Sequence, residues 1–258
     1  IISDDSSSRE IITFRLSLFH TTFNVINTLV FIWFVPALAW VVEKLVKPGK
    51  RDMETTYKLE YITTGIQDTA EINIMKAKKE IAKMAIITRD MFHTFLKVFN
   101  NPNKKLSELV ESIREKEELT DQMQIEISHY LAECAKENLN NESADNVTAL
   151  LRITHELESI GDSCLNLNFL AQRRYDKKIK LVKTAVSEIS DYSKQVREFI
   201  DFYVKHLDND FNDFNLEQAY ILEAQIDQSR NKLRKNAQKR LQKGAHVQGE
   251  LLFIDIVR

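Results

Sequence analysis

Ile153-Thr-His-Glu-Leu-Glu-Ser-Ile-Gly-Asp-Ser-Cys-Leu-Asn-Leu167 decides the reading of the chain. Leu150, Ile153, Leu157, Ile160, Cys164 and Leu167 recur at alternating steps of three and four, the period of a helix with one apolar stripe. Glu158 and Asp162 stand four apart, so they share a face. At roughly 100° per residue that face lies well round from the stripe. The two acids are therefore placed beside the core rather than in it.

The device recurs on both sides of this helix. Glu117 and Asp121 stand four apart, and so do Glu223 and Asp227. Each acid is read as directly following a stripe position. Like charges at this spacing oppose the helix, so repeated pairs call for compensation, which a hard cation held by carboxylate oxygens supplies. Such ligands do not choose among iron, manganese, magnesium and calcium, and zinc is compatible. The plain alternative is a solvated acidic surface. His155, one turn before Glu158, is either a nitrogen ligand or a surface residue. Gly161 costs about 1 kcal/mol relative to Ala inside a helix, a cost that a close helix approach would explain.

Composition fits long helices. The 258 residues include only 5 Gly and 3 Pro, and 29% are charged; few turn-formers and many Leu, Glu, Lys and Ala favour an all-α chain. A net charge of −2 gives no broad reason to expect a nucleic-acid partner. Cys134 and Cys164 fall on helix stripes and read as core packing rather than a disulfide. No signal-peptide layout is visible before the apolar sequence begins, and the chain reads as a fragment of a longer protein.

Residues 16–42 contain no Asp, Glu, Lys or Arg. A bilayer core needs about 20 apolar residues of helix, so residues 1–50 are read as a membrane segment and its flanks. Pro36 predicts a kink, and Trp33 and Trp40 suit an interfacial belt. His20, Asn24 and Asn27 form a polar stripe that is costly against lipid and should face other helices. Lys44, Lys47, Lys50 and Arg51 put the carboxyl-terminal side in the cytoplasm. After a connector over 51–70, the spacing predicts helices near 71–100, 104–138, 144–174, 181–207 and 216–243, then one from Val247. Asn101-Pro-Asn103, Asn140-Asn-Glu-Ser143, Asp208-Asn-Asp210 and Gly244 punctuate them. Glu117 and Glu223 are 106 residues apart. The unit 71–258 is thus read as a tandem of three-helix bundles, about 71–175 and 181–258, the second cut short. In the first, Glu117, Asp121, Glu158 and Asp162 should meet on one patch, because antiparallel helices joined near Asn140 bring the two pairs level.

Leu157-Glu-Ser-Ile-Gly-Asp162 and Leu251-Leu-Phe-Ile-Asp-Ile-Val-Arg258 resemble the two halves of PhoU, the phosphate-regulon regulator. Phe19-His-Thr-Thr-Phe-Asn-Val-Ile-Asn27 resembles the last membrane segment of bacterial type II-related sodium/phosphate cotransporters, many of which end in a PhoU-like domain. The resemblance implies the tail of a multi-pass inner-membrane transporter of sodium and phosphate, with a cytoplasmic regulatory domain and an upstream membrane bundle as its partner; a homo-oligomer is compatible. It also implies metal at Glu117, Asp121, Glu158, Asp162, Glu223 and Asp227. Asp255 matches an acidic position ahead of the second copy's last motif. A membrane-anchored phosphate-signalling regulator is the alternative. A di-metal bundle enzyme is the third reading. It would pair Glu with Glu-x-x-His, an element read as absent from the motif helices, and no phosphate loop, Ser/His/Asp signature or glycine-rich fingerprint occurs. The chain is therefore read as non-enzymatic.

Overall fold

The computed structural model describes residues 3–45, 57–62, 69–100, 106–136, 139–208 and 215–258. Every regular element among the described residues is a helix: α1 Ser3–Leu45, α2 Ala70–Asn100, α3 Leu106–Cys134, α4 Asn141–Asp176, α5 Lys183–Asp208, α6 Leu216–Gln242 and α7 Val247–Ile256. The chain divides into two compact units, Ile1–Thr55 and Thr56–Arg258. Pro48-Gly49, Lys47, Lys50, Arg51, Asn101-Pro-Asn103, most of the connector, and the far side of the turn at Asp208 lie outside the described residues. So do the side chains of Lys44 and Trp40.

α1 stays helical through Pro36. Its stretch Phe14–Ala37 is long and apolar enough to cross a membrane, and none of it is buried. Phe19, Phe23, Ile26, Val30 and Phe34 are exposed, an apolar surface that water does not favour. On it, His20 Nε2 and Asn24 Nδ2 lie 3.1 Å apart, so two members of the polar stripe satisfy each other.

In the second unit α2, α3 and α4 pack on one another, and so do α5, α6 and α7. α2 against α5 and α4 against α7 join the two triplets. Asn140 caps α4 by accepting from Ser143 N at 2.7 Å, and Asn215 caps α6 by accepting from Gln218 N at 3.0 Å, each satisfying an orphan amide. Gly244 ends the α6 turn at φ +83, a left-handed conformation open to glycine. The core of the first triplet runs through Ile81, Met84 and Phe95, Ile113, Met123 and Ile127, and Leu150, Leu157 and Cys164; each large side chain so buried contributes about 1.5–3 kcal/mol. Cys134 and Cys164 are buried free thiols, and burial pushes Cys164 up to about 12.

The stripe of α4 differs from the apolar reading of the sequence. Its buried residues are Ser143, Val147, Leu150, Thr154, Leu157, Gly161, Cys164, Asn168 and Ala171, a strict alternation of three and four. Thr154, Gly161 and Asn168 take the places assigned to Ile153, Ile160 and Leu167, which are half-buried on the flank. The flank faces α5. The backbones of α4 and α5 stay apart, and α7 packs on both. The end of α7, Asp255 to Arg258, lines a cavity with Asn166 and Leu167 of α4 and Tyr192 and Val196 of α5. Further along both helices the gap continues as an open groove of about 450 Å³, lined by Ile153, Leu157 and Ile160 against Tyr203, His206 and Leu207.

Two basic residues are engaged within the bundle. Arg240 of α6 donates to Glu250 Oε1 and Oε2 at 2.9 and 3.0 Å and to Glu188 Oε2 at 2.7 Å. Its guanidinium also stacks 4.5 Å from the centroid of Phe253. Arg174 of α4 sits 4.8 Å over the Phe99 ring, where Tyr175 OH donates to the terminal α2 carbonyls of Val98 and Phe99.

Candidate functional site

α3 buries Ile113, Thr120, Ile127 and Cys134 at steps of seven, with Met123 and Tyr130 between. Lys116 takes the equivalent place between Ile113 and Thr120, so Glu117 and Asp121 each directly follow a position of this line, and both are half-buried. The crossing of α3 and α4 is set by small residues. A Cβ at Gly161 would lie 3.0 Å from Thr120 Oγ1 and 3.9 Å from Met91 Cε. Thr120 Oγ1 donates back to Glu117 O at 2.9 Å, which fixes its rotamer. With Thr120 opposite Gly161, the next residues of each helix, Asp121 and Asp162, face one another across the contact.

Glu117, Asp121 and Asp162 each offer a carboxylate oxygen, and these lie within 4.8 Å of one another. Burial, then the charges of Asp121 and Asp162, raises the Glu117 carboxyl above its ordinary range, with Arg114 pulling the other way. Burial, then Asp162 and Glu158, raises Asp121. Asp121 Oδ1 is buried with no hydrogen-bond partner. A desolvated, unpartnered carboxylate oxygen aimed among like charges is costly as it stands. This donor set fits a hard cation, which neutralises such a set. Glu158 acts on Asp121 through its charge but is not one of the three. Since Thr120 faces Gly161 on antiparallel helices, Asp162 falls between the levels of Glu117 and Asp121, while Glu158 falls opposite Met123, near Asp121 but six residues of α3 from Glu117. Glu158 Oε2 lies 3.6 Å from Nδ1 of exposed His155.

The second copy of the spacing makes no such site. Among the described residues Glu223, Asp227 and Asp255 enter no cluster of three metal-ligating side chains. Glu223 is exposed, Asp227 pairs with Arg230 at 2.9 Å, and Asp255 opens on the cavity beside Tyr192 and Arg258. Sequence reasoning also passed over Glu126-Ile-Ser-His129, a Glu-x-x-His element on α3; it too joins no ligand cluster. The buried Thr120 was legible only as a polar residue spaced seven from Ile113 and Ile127.

The fold and the site define a helical-bundle protein whose first triplet gathers carboxylates between two helices. Residues 81–168 match the family model of the PhoU domain. The chain therefore carries a PhoU-like domain, and the matched span holds Glu117, Asp121, Glu158 and Asp162. No curated protein matches the chain.

Proposed function

We propose that this chain is the carboxyl-terminal part of a sodium-dependent phosphate transporter of the inner membrane, non-enzymatic, whose cytoplasmic PhoU-like domain regulates transport or phosphate signalling. The observation that carries the reading is the PhoU match over 81–168 following, in one chain, a helix long and apolar enough to span a membrane. The polar stripe His20, Asn24 and Asn27 on that helix supports the presence of further membrane helices, since lipid tolerates such groups poorly.

Glu117, Asp121 and Asp162 would hold a divalent or trivalent cation, with Glu158 adding negative charge beside Asp121. The ion would supply charge neutralisation that ties α3 to α4. Its occupancy would then set how firmly the first triplet is closed, which is the regulatory variable.

Two measurements test this. Deleting residues 70–258 from the full-length protein should leave radiolabelled phosphate uptake active but insensitive to external phosphate; regulation that survives the deletion contradicts it. A cysteine placed at residue 60 should react with a membrane-impermeant thiol reagent only from the cytoplasmic side, and labelling from outside would reverse the topology.

A further inference from the structure

Within the connector read over 51–70, residues 57–62 are seated on the bundle. Tyr57, Leu59 and Ile62 pack against its core. Tyr57 N donates to Gln122 Oε1 of α3 at 3.1 Å, and Tyr61 N donates to Glu80 Oε1 of α2 at 2.6 Å. Lys83 of α2 donates to Tyr57 OH at 2.8 Å and to Glu60 Oε2 at 2.6 Å. Lys79 and Lys83 lie 5.8 and 5.2 Å from the ring centroids of Tyr61 and Tyr57.

Glu80 is the unexpected member. It is fully buried, and its Oε2 has no hydrogen-bond partner. A carboxylate in such a place is costly in a helical core. Burial raises it above the usual carboxylate range, with the Tyr61 amide and Lys83 pulling the other way. A leucine would fill the position without that cost. What leucine cannot do is accept the Tyr61 amide.

We infer that residues 57–62 are a strap that fastens the polypeptide leading from α1 to the α2–α3 face, and that Glu80 is its positioning residue. The other amide anchor, Gln122, directly follows Asp121, so consecutive residues of one α3 turn serve the strap and the carboxylate cluster. A shift of α3 at the cluster thereby reaches the chain leading to α1 through one hydrogen bond. Only this purpose rests on the regulatory reading above; the strap itself is measured without phosphate or metal.

The test is amide hydrogen exchange at Tyr57 and Tyr61 in the full 258-residue chain, held in detergent micelles. Glu80→Leu should speed exchange at Tyr61 by about tenfold or more while α2 and α4 amides keep their protection, because local opening is independent of global unfolding. Glu80→Gln keeps the acceptor and should restore the wild-type rate to within about threefold. Unchanged Tyr61 exchange in Glu80→Leu, or equal loss in Glu80→Gln, overturns the assignment. Should Glu80→Leu lose the bundle's helical content, Gln122→Leu with Lys83→Met carries the test from less buried positions. Faster exchange at both tyrosine amides supports the strap, and unchanged exchange refutes it.

Discussion

The two helical triplets answer the same acidic spacing in opposite ways. In α2–α4, three carboxylates converge, and Arg114 offsets part of their field at Glu117. In α5–α7 the acids are answered from within. Arg230 takes Asp227, and Arg240 takes both Glu188 and Glu250. Spacing four apart thus does not make a site. A site needs a second helix whose acids arrive at the same level, and a crossing close enough to bring them within reach. Thr120 against Gly161 provides that crossing in the first triplet. The second triplet uses its buried charge for cohesion.

The cohesion side breaks most severely. Arg240→Met leaves Glu250, only 3% exposed, without its guanidinium partner, and removing one member of a buried pair costs about 3–5 kcal/mol. Denaturant unfolding of α5–α7 should show that loss, and Arg240→Met with Glu250→Leu should recover much of it. Gly249→Ala comes next. Its Cβ would meet the backbone oxygen of Lys180 at 2.6 Å, so α7 must move off the α4–α5 link, at about 1–3 kcal/mol of overpacking. The same denaturation midpoint measures it.

Gly161→Ala sharpens the comparison on the other side. The new methyl meets Thr120 Oγ1 at 3.0 Å, a hydroxyl held in place by Glu117 O. A net loss of about 1 kcal/mol is expected after the gain in helix propensity. In a Thr120→Ala background the loss should vanish, and a double-mutant cycle reads the coupling.

The smallest effect is on pH dependence. Glu117 and Asp121 have raised carboxyls in the folded state, so the native chain binds more protons than the unfolded one across that window. Metal-free stability should therefore rise as pH falls through the raised native values and fall as pH climbs through them. Asp121→Asn should flatten this slope in thermal melts recorded with chelator; a slope of the opposite sign contradicts the assignment of the cluster.

Among the described residues, helix number and order and the breaks at Asn140 and Gly244 were legible because apolar period, Asn caps and a left-handed glycine act locally. α4 shows where such reading stops. Thr154, Gly161 and Asn168 lie in its core because a close crossing selects small side chains, and apolarity scores them as surface. The displaced Ile153 and Ile160 meet the groove toward α5, a neighbour that no local pattern announces. Arg240 failed similarly. Its charge reads as solvated until α5 and α7 deliver Glu188 and Glu250. For the site, spacing names the acids of both motifs, but the closeness of Glu117, Asp121 and Asp162 depends on the crossing at the Thr120–Gly161 contact, which no local pattern announces.

The contrast between the triplets is tested most directly by manganese titration calorimetry on the full chain. The wild type should bind, Asp121→Asn with Asp162→Asn should abolish binding while the helical circular dichroism is retained, and Glu223→Gln with Asp227→Asn should bind as the wild type does. Binding that survives the first pair of substitutions, or is lost with the second, would contradict the account.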